Sequence, residues 1–215
     1  MKHLLIIGTG GQGKVVLDCA ESQYEKITFM TNDLNAQKIK DYPIIFEQNI
    51  KPEYILENFD EIIVAIGDNK ARLKLTKKYI SAGIKIATII HPNASVSKYA
   101  TIDRGTVICA NTAIGPFAVL GKANVVSIGG IVAHDCQFDD GVRISPNAVV
   151  AGTCIIGKNT WICIGANISN DIKIGINSVV GAGAVVLKDV PDSVLVAGIP
   201  AIIKKRYEEE RNNGT

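Results

Sequence analysis

One histidine and the carboxylate that follows it are the residues of this chain best suited to moving a proton. His134 and Asp135 stand side by side in the segment Val132-Ala133-His134-Asp135-Cys136. Imidazole titrates near neutral pH and can take a proton from an attacking amine or hydroxyl. Attack of such an acceptor on a thioester needs that help, together with a donor for the oxyanion. A second group of residues has phosphate chemistry. Gly8-Thr9-Gly10-Gly11-Gln12-Gly13 carries glycines 8, 10 and 13 in the pattern G-x-G-x-x-G, and Asp33 follows twenty residues after Gly13. Between a strand and a helix, such a loop offers backbone N–H groups to a phosphate, and an acidic residue at that distance meets a ribose hydroxyl. Metal chemistry has no comparable constellation. The five cysteines (Cys19, Cys109, Cys136, Cys154, Cys163) form no C-x-x-C, and there are three histidines, so no metal is expected.

The histidine sits inside a strict repeat. From Val96, every sixth residue is large and apolar: Ile102, Ile108, Ile114, Leu120, Val126, and so on through Val180 and Val186. Four places after each stands a mostly small residue, such as Ala100, Thr106, Ala118, Ala148 or Ala184. A helix repeats at 3.6 and a strand at 2, so neither accounts for a period of six. Six is the period of a parallel β-helix. Three hexads close one triangular turn, and residues eighteen apart then stack at about 4.8 Å. His134 occupies the third, outward place of its hexad, with Pro116 one turn before it, Gly152 one turn after and Asn170 beyond. A bare glycine beside the ring suggests the floor of a groove. Cys136 and Cys154 fall eighteen apart at the small inward place and read as stacked, reduced core thiols.

Before the repeat, strands and helices alternate. His3-Leu4-Leu5-Ile6-Ile7 reads as a buried strand, Lys14–Ala20 as a helix, Ile27–Met30 as a second strand and residues 44–46 as a short third. Glu61–Gly67 is another buried strand, Asn69–Ala82 a helix stopped by Gly83, and Lys85–Ile90 the last strand. Alternation of this kind predicts a small parallel sheet. His91-Pro92 closes it, because proline keeps its predecessor out of the helical region. About ninety residues cannot hold a six-stranded dinucleotide fold, which excludes the dehydrogenase reading, but they can hold one nucleotide. The expected organisation is an α/β Rossmann-like unit over 1–91 and an all-β helix with a polar tail over 92–215. That tail, from Lys204, reads as partly helical or frayed.

Composition narrows the partners. A formal charge of +2 on 215 residues argues against nucleic acid and anionic membrane as main partners. No apolar run reaches the eighteen or so residues needed to span a bilayer, and Leu4–Ile7 runs into glycines rather than a cleavage site. A cytoplasmic location is expected.

Several motifs occur together in order: G-x-G-G-x-G-K-V-V at the start, Ile66-Gly67-Asp68-Asn69, His91-Pro92, His134-Asp135-Cys136, Ser145-Pro146-Asn147-Ala148 and Gly198-Ile199-Pro200-Ala201. In this the chain resembles the left-handed β-helix, hexapeptide-repeat acyltransferases. Within them it resembles the bacterial sugar acetyltransferases of the sialic-acid O-acetyltransferase family, many of which N-acetylate nucleotide-linked 4-amino-sugars. The resemblance implies a homotrimer and acetyl-CoA as cosubstrate, with His134 as general base and Asp135 as its support. It implies that Gly8, Gly10, Gly11, Gln12, Gly13, Asp33, Gly67 and Asn69 hold the sugar nucleotide. It places the acetyl donor in the groove between subunits, near Gly152, Asn170, Ala182, Gly198, Pro200, Ala201 and Lys204. Two departures stand out. Gln12 takes a place where histidine is common, and Asn147 one where glycine is common, although Asn tolerates a left-handed turn. O-acetylation of a sugar hydroxyl is the nearest alternative activity, and a non-catalytic nucleotide-binding scaffold the alternative of another class. Packing of three prisms is expected to cover apolar residues such as Val132 and Ile164.

Overall fold

The computed structural model describes residues 2–208. Its first part is a parallel sheet of β1 (His3–Ile7), β2 (Lys26–Thr31), β3 (Ile44–Phe46) and β4 (Glu61–Val64), in the order β3-β2-β1-β4. Parallel strands are covered on both faces, and Leu4, Leu5 and Ile6 are accordingly fully buried. Leu4 and Ile6 pack with α1 (Gly11–Ala20) and with Ile89, Val107 and Cys109. Leu5 and Ile7 point the other way, toward Ile55 of α2 (Pro52–Asn58) and Tyr79 of α3 (Asn69–Ser81). The face of the sheet that carries α1 is therefore also the face that seats the β-helix.

The β-helix is built from two-residue strands that pair in parallel with the strand eighteen residues on, as in Ile131↔Val149 and Arg143↔Trp161. Its three sheets hold the inward columns of the hexad pattern, and Ile108, Val126, Ile144, Val150, Ile156 and Ile162 are fully buried. Each corner needs a left-handed residue, again every sixth position: Gly129, Asp135, Gly141, Asn147, Thr153 and Asn159 all have φ between 57° and 75°. Gly, Asn and Asp accept that conformation at little cost, and Asn147 does so at φ 57°, as expected of it. Cys136 and Cys154 lie buried in the prism as free thiols.

Three expectations need correction. Lys85–Ile90 is not one strand of the sheet. Ile86 bridges to Ile62, while Ile89–Ile90 pairs with Val107–Ile108 as the first rung of the β-helix. The split follows the partners, since Ile89–Ile90 takes its hydrogen bonds from the strand eighteen residues on and not from the sheet. The tail from Lys204 is neither helical nor frayed where it is described. Ile202–Arg206 runs antiparallel to Val194–Ala197 and extends one sheet of the prism; residues 209–215 lie outside the described residues. Val132 is not near solvent but 1% exposed, because it is an inward hexad residue, whereas its neighbour Ile131 faces out at 40%. Sequence reading also passed over α2.

Candidate active site

His134 follows the strand Ile131–Val132 at a corner of the prism. The next residue, Asp135, turns left-handed at φ 58°, and this brings its carboxylate back to the ring: Nδ1 and Asp135 Oδ2 are 2.7 Å apart. A carboxylate offers only acceptors, so Nδ1 carries the proton and Nε2 presents a lone pair. The imidazole is thus oriented by one hydrogen bond. Gly152 lies directly beneath. A Cβ built on it would stand 2.6 Å from both Cε1 and Nε2 of His134, so only glycine leaves room for the imidazole. The corner is held by stacking: Thr153 N–H donates to the His134 carbonyl at 3.0 Å and Asp171 N–H to the Gly152 carbonyl at 3.1 Å. Asn170 is exposed on the same edge. The His134–Asp135 pair itself is open, with side chains 56% and 52% exposed.

The glycine loop is at work elsewhere. Gly8 (φ 118°) packs against Ala65, whose carbonyl oxygen would be 2.6 Å from an added Cβ, and Gly13 packs against the Gly8 carbonyl. These two glycines let β1, β4 and α1 approach one another. Gly10 and Gly11 face open space, and the N-terminus of α1 has no side-chain cap. A cavity of about 550 Å³ lies there, lined by Gly8, Gly10, Gly11, Gln12, Val15, Ala65, Ile66, Gly67 and Arg143. Gln12 Nε2 is buried and has no partner among the described residues. Asp33 is not among the lining residues. It sits in the exposed turn after β2, where its Oδ1 accepts from Asn35 N–H at 2.9 Å.

Asn69 lines a second, larger cavity and also ties the sheet unit to the prism. Its Nδ2 donates to the carbonyls of Asn159 and Thr160 on the prism, and its Oδ1 accepts from Arg72 Nη2. Arg72, 1% exposed, donates further to the carbonyls of Ala123 and Gly141 on the prism and of Ile66 and Gly67 in the sheet unit. Burial, and then the charge of Arg143, lowers its pKa to about 10, so it stays protonated at neutral pH. Asn69 and Arg72 form the clasp that fixes the loop after β4 to the β-helix.

Two residues of the site escaped the sequence reading. Arg143 reaches the Gly67 carbonyl with Nη1 at 3.2 Å and lies 5.7 Å from the centre of the Trp161 ring, whose Nε1 donates to Ser145 Oγ at 2.7 Å. Both line a second cavity of about 1140 Å³ that continues past Gly67 toward Lys205, Arg206 and Tyr207. The signal was there in the eighteen-residue column Val107, Val125, Arg143, Trp161, Val179, where one cation interrupts an apolar series. Lys204, named in the sequence reading, is not among the lining residues.

The model of the PglD N-terminal domain matches residues 3–79. Among solved structures, PerB from Caulobacter crescentus in complex with CoA and GDP-perosamine is 31% identical with a TM-score of 0.89, over 95% of this chain and 98% of that one. The acetyltransferase domain of PglB from Neisseria gonorrhoeae, in complex with acetyl coenzyme A, is 35% identical with a TM-score of 0.86, over 94% and 98%. The chain belongs to the hexapeptide-repeat sugar N-acetyltransferases. A curated relative, UDP-N-acetylbacillosamine N-acetyltransferase of Bacillus subtilis, is 32% identical over 117 residues, 51% of this chain and 52% of that protein. A second, GDP-perosamine N-acetyltransferase of Escherichia coli O157:H7, is 29% identical over 140 residues, 61% of this chain and 62% of that protein, so the chain spans less than two thirds of the length of either.

For a hexapeptide-repeat N-acetyltransferase, the placement of the expected donor-binding residues is instructive. Gly152 and Asn170 share the edge of His134. Ala182 lies on another edge, at the corner between Val179–Val180 and Val185–Val186. The turn of Gly198, Pro200 and Ala201 forms the next rung beyond Val185, with Val185 N–H donating to the Gly198 carbonyl at 3.0 Å and Ala201 N–H to the Val185 carbonyl at 2.8 Å. One chain does not bring these residues around a single groove. Nor does His134 line either cavity at the glycine loop. Among the described residues no group of three or more His, Cys, Asp or Glu is placed to hold a metal, and no helix is long and apolar enough to cross a membrane.

Proposed function

We propose that this chain is an acetyl-CoA-dependent N-acetyltransferase acting on the 4-amino group of a nucleotide-linked 4-amino-4,6-dideoxy-sugar, in surface-glycan or glycoprotein sugar synthesis. The observation that carries the reading is the oriented base: Asp135 holds Nδ1, and Nε2 is free above a bare glycine. Acetyl-CoA supplies an acyl carbon already activated as a thioester. His134 Nε2 takes the proton from the attacking amine as the N–C bond forms, and returns it to the sulfur as the C–S bond breaks. Asp135 stabilises the imidazolium in between. Residues 1–91 serve as the sugar-nucleotide unit, with open backbone at Gly10 and Gly11, and residues 92–215 as the acetyl-donor unit. The work is assigned to the cytoplasm.

The enzyme acts as a homotrimer. Exposed apolar residues occupy two separate regions of the prism: Ile128, Ile131 and Ile164 in one, Phe117, Val119 and Ile155 in the other, beside the edge of His134. Two unlike patches fit a head-to-tail contact that closes as a ring. Such closure sets His134 of one copy against the nucleotide cavity of the next, which answers their separation within one chain.

A thiol-release assay over UDP-, dTDP- and GDP-linked 4-amino-sugars tests the reading, with turnover expected on one base. Acetylation of a free sugar hydroxyl such as sialic acid, with every nucleotide amino-sugar inert, would overturn it.

A further inference from the structure

The nucleotide cavity carries a positive charge that comes from outside the nucleotide unit. Among the described residues that line it, Arg143 is the charged one, and it belongs to the β-helix. A guanidinium has five N–H donors in a rigid fork. Arg143 uses Nη1 on the Gly67 carbonyl, and its buried Nε has no partner among the described residues. Its Cζ lies 5.7 Å from the centre of the Trp161 ring, itself fixed on Ser145. The fork is therefore placed beside a fixed ring and largely unspent among the described residues. Behind it lies Arg72, a second guanidinium whose partners are four carbonyls and the Asn69 amide. Among the described residues neither arginine forms a salt bridge. Two like charges so close disfavour each other, as the lowered pKa of Arg72 records after the larger effect of its burial. An anion at this place relieves that repulsion. Arg143 and Gly67 line both cavities, so this is the passage from one to the other.

We propose that Arg143 is the diphosphate-binding residue of the sugar-nucleotide site, its fork gripping the phosphates where the ligand passes from the glycine-loop cavity into the larger one. The proposal rests on the sugar-nucleotide reading above and goes beyond it. It gives the β-helix of the same chain a part in binding the acceptor, and makes the diphosphate itself a determinant of specificity. A nucleoside monophosphate or a free amino-sugar leaves the fork unpaired. A strut role through Gly67 alone would stabilise the joint of the two units but would not distinguish one phosphate from two.

Titration calorimetry separates these possibilities, using UDP, dTDP, GDP and the three matching monophosphates as probes. For its own base, the wild-type trimer should bind the diphosphate about tenfold or more tighter than the monophosphate, the scale of a charge-assisted bidentate contact. Arg143→Gln should lose most of that ratio while the KM for acetyl-CoA stays within about threefold, and Arg143→Lys should recover part of it as a point charge. An Arg143→Gln protein that keeps the wild-type ratio overturns the assignment. Should Arg143→Gln lose its fold, Arg143→Lys decides alone, since an unchanged ratio there together with unchanged KM for the nucleotide-sugar also overturns it. Wild-type protein that binds none of the three diphosphates removes the nucleotide reading and the Arg143 role together, an outcome distinct from the other two.

Discussion

Asp135 adopts φ 58°, and this turn is what sets its carboxylate beside the imidazole of the residue before it. The corner geometry and the contact with the imidazole use the same residue. His134→Ala removes a side chain that faces solvent, so it should fold and assemble normally yet lose on the order of 10²-fold or more in kcat. Activity within a few-fold of wild type would take His134 out of the mechanism. Asp135→Asn keeps a residue that tolerates the left-handed corner, so it isolates the charge. It should cost less than His134→Ala in the same assay, and the reverse order would exchange base and helper. Gly152→Ala is a sharper test of placement. Its Cβ would fall 2.6 Å from Nε2, so the ring must move. We expect kcat to fall nearly as far as in His134→Ala with an unchanged melting temperature; wild-type kcat would show that Nε2 does not need this position.

The four glycines of the first loop do two kinds of work, set by which elements they touch. Gly13 has no room for a Cβ against the Gly8 carbonyl, while Gly10 and Gly11 have open space in front of them. Gly13→Ala should therefore destabilise the sheet unit by roughly 1–3 kcal/mol through overpacking of α1 on β1, read as a drop in melting temperature. Gly11→Val should leave the melting temperature near wild type and raise the KM for the nucleotide-sugar, with the KM for acetyl-CoA unchanged. Gly11 begins a regular helix with open space before it, so the valine acts by filling that space rather than by straining a turn. The clasp between α3 and the prism makes its own prediction. Arg72→Leu leaves carbonyls of both units without their donor, and should cost roughly 2–4 kcal/mol. Limited proteolysis should then cut first near the joint; equal resistance to wild type would mean that the apolar contact of α1 with Val107 and Cys109 holds the units by itself.

Three copies give a mass near 69 kDa, three times 23.0 kDa, and dilution to monomers should abolish turnover in parallel with the loss of that species in sedimentation. Sharing of sites between copies is tested by mixing inactive chains. Pairing His134→Ala with a Gly152 variant would not serve, because Gly152 underlies His134 of its own chain and both lesions strike one edge. Pairing His134→Ala with Gly11→Val strikes different units. If a groove joins His134 of one copy to the glycine loop of the next, random assortment at equal amounts restores about one quarter of the grooves. No recovery beyond the two parents would place both lesions in the same groove and refute the shared site.

Much of this protein was legible along the chain because its repeat is local. A hexad needs only a large residue and a small one at fixed spacing, so inward columns, corner positions and the outward place of His134 all follow from counting. The loop Gly8–Gly13 was equally legible, since a strand, a glycine turn and a helix are contiguous. The pairing of Nδ1 with Asp135 joins adjacent residues, and the family resemblance implied it. What counting could not supply were contacts between distant segments. Asn69 stands in a local motif, but its bonds to the carbonyls of Asn159 and Thr160, about ninety residues away, are not encoded there. Arg143 reaches the glycine-loop cavity because the sheet unit sits on the prism, with Leu4 and Ile6 in one core with Val107 and Cys109. Ile89–Ile90 joined the β-helix rather than the sheet because its hydrogen-bond partners, Val107–Ile108, come one full turn later. Burial and register between remote segments depend on how whole surfaces fit, and no local spacing encodes that fit.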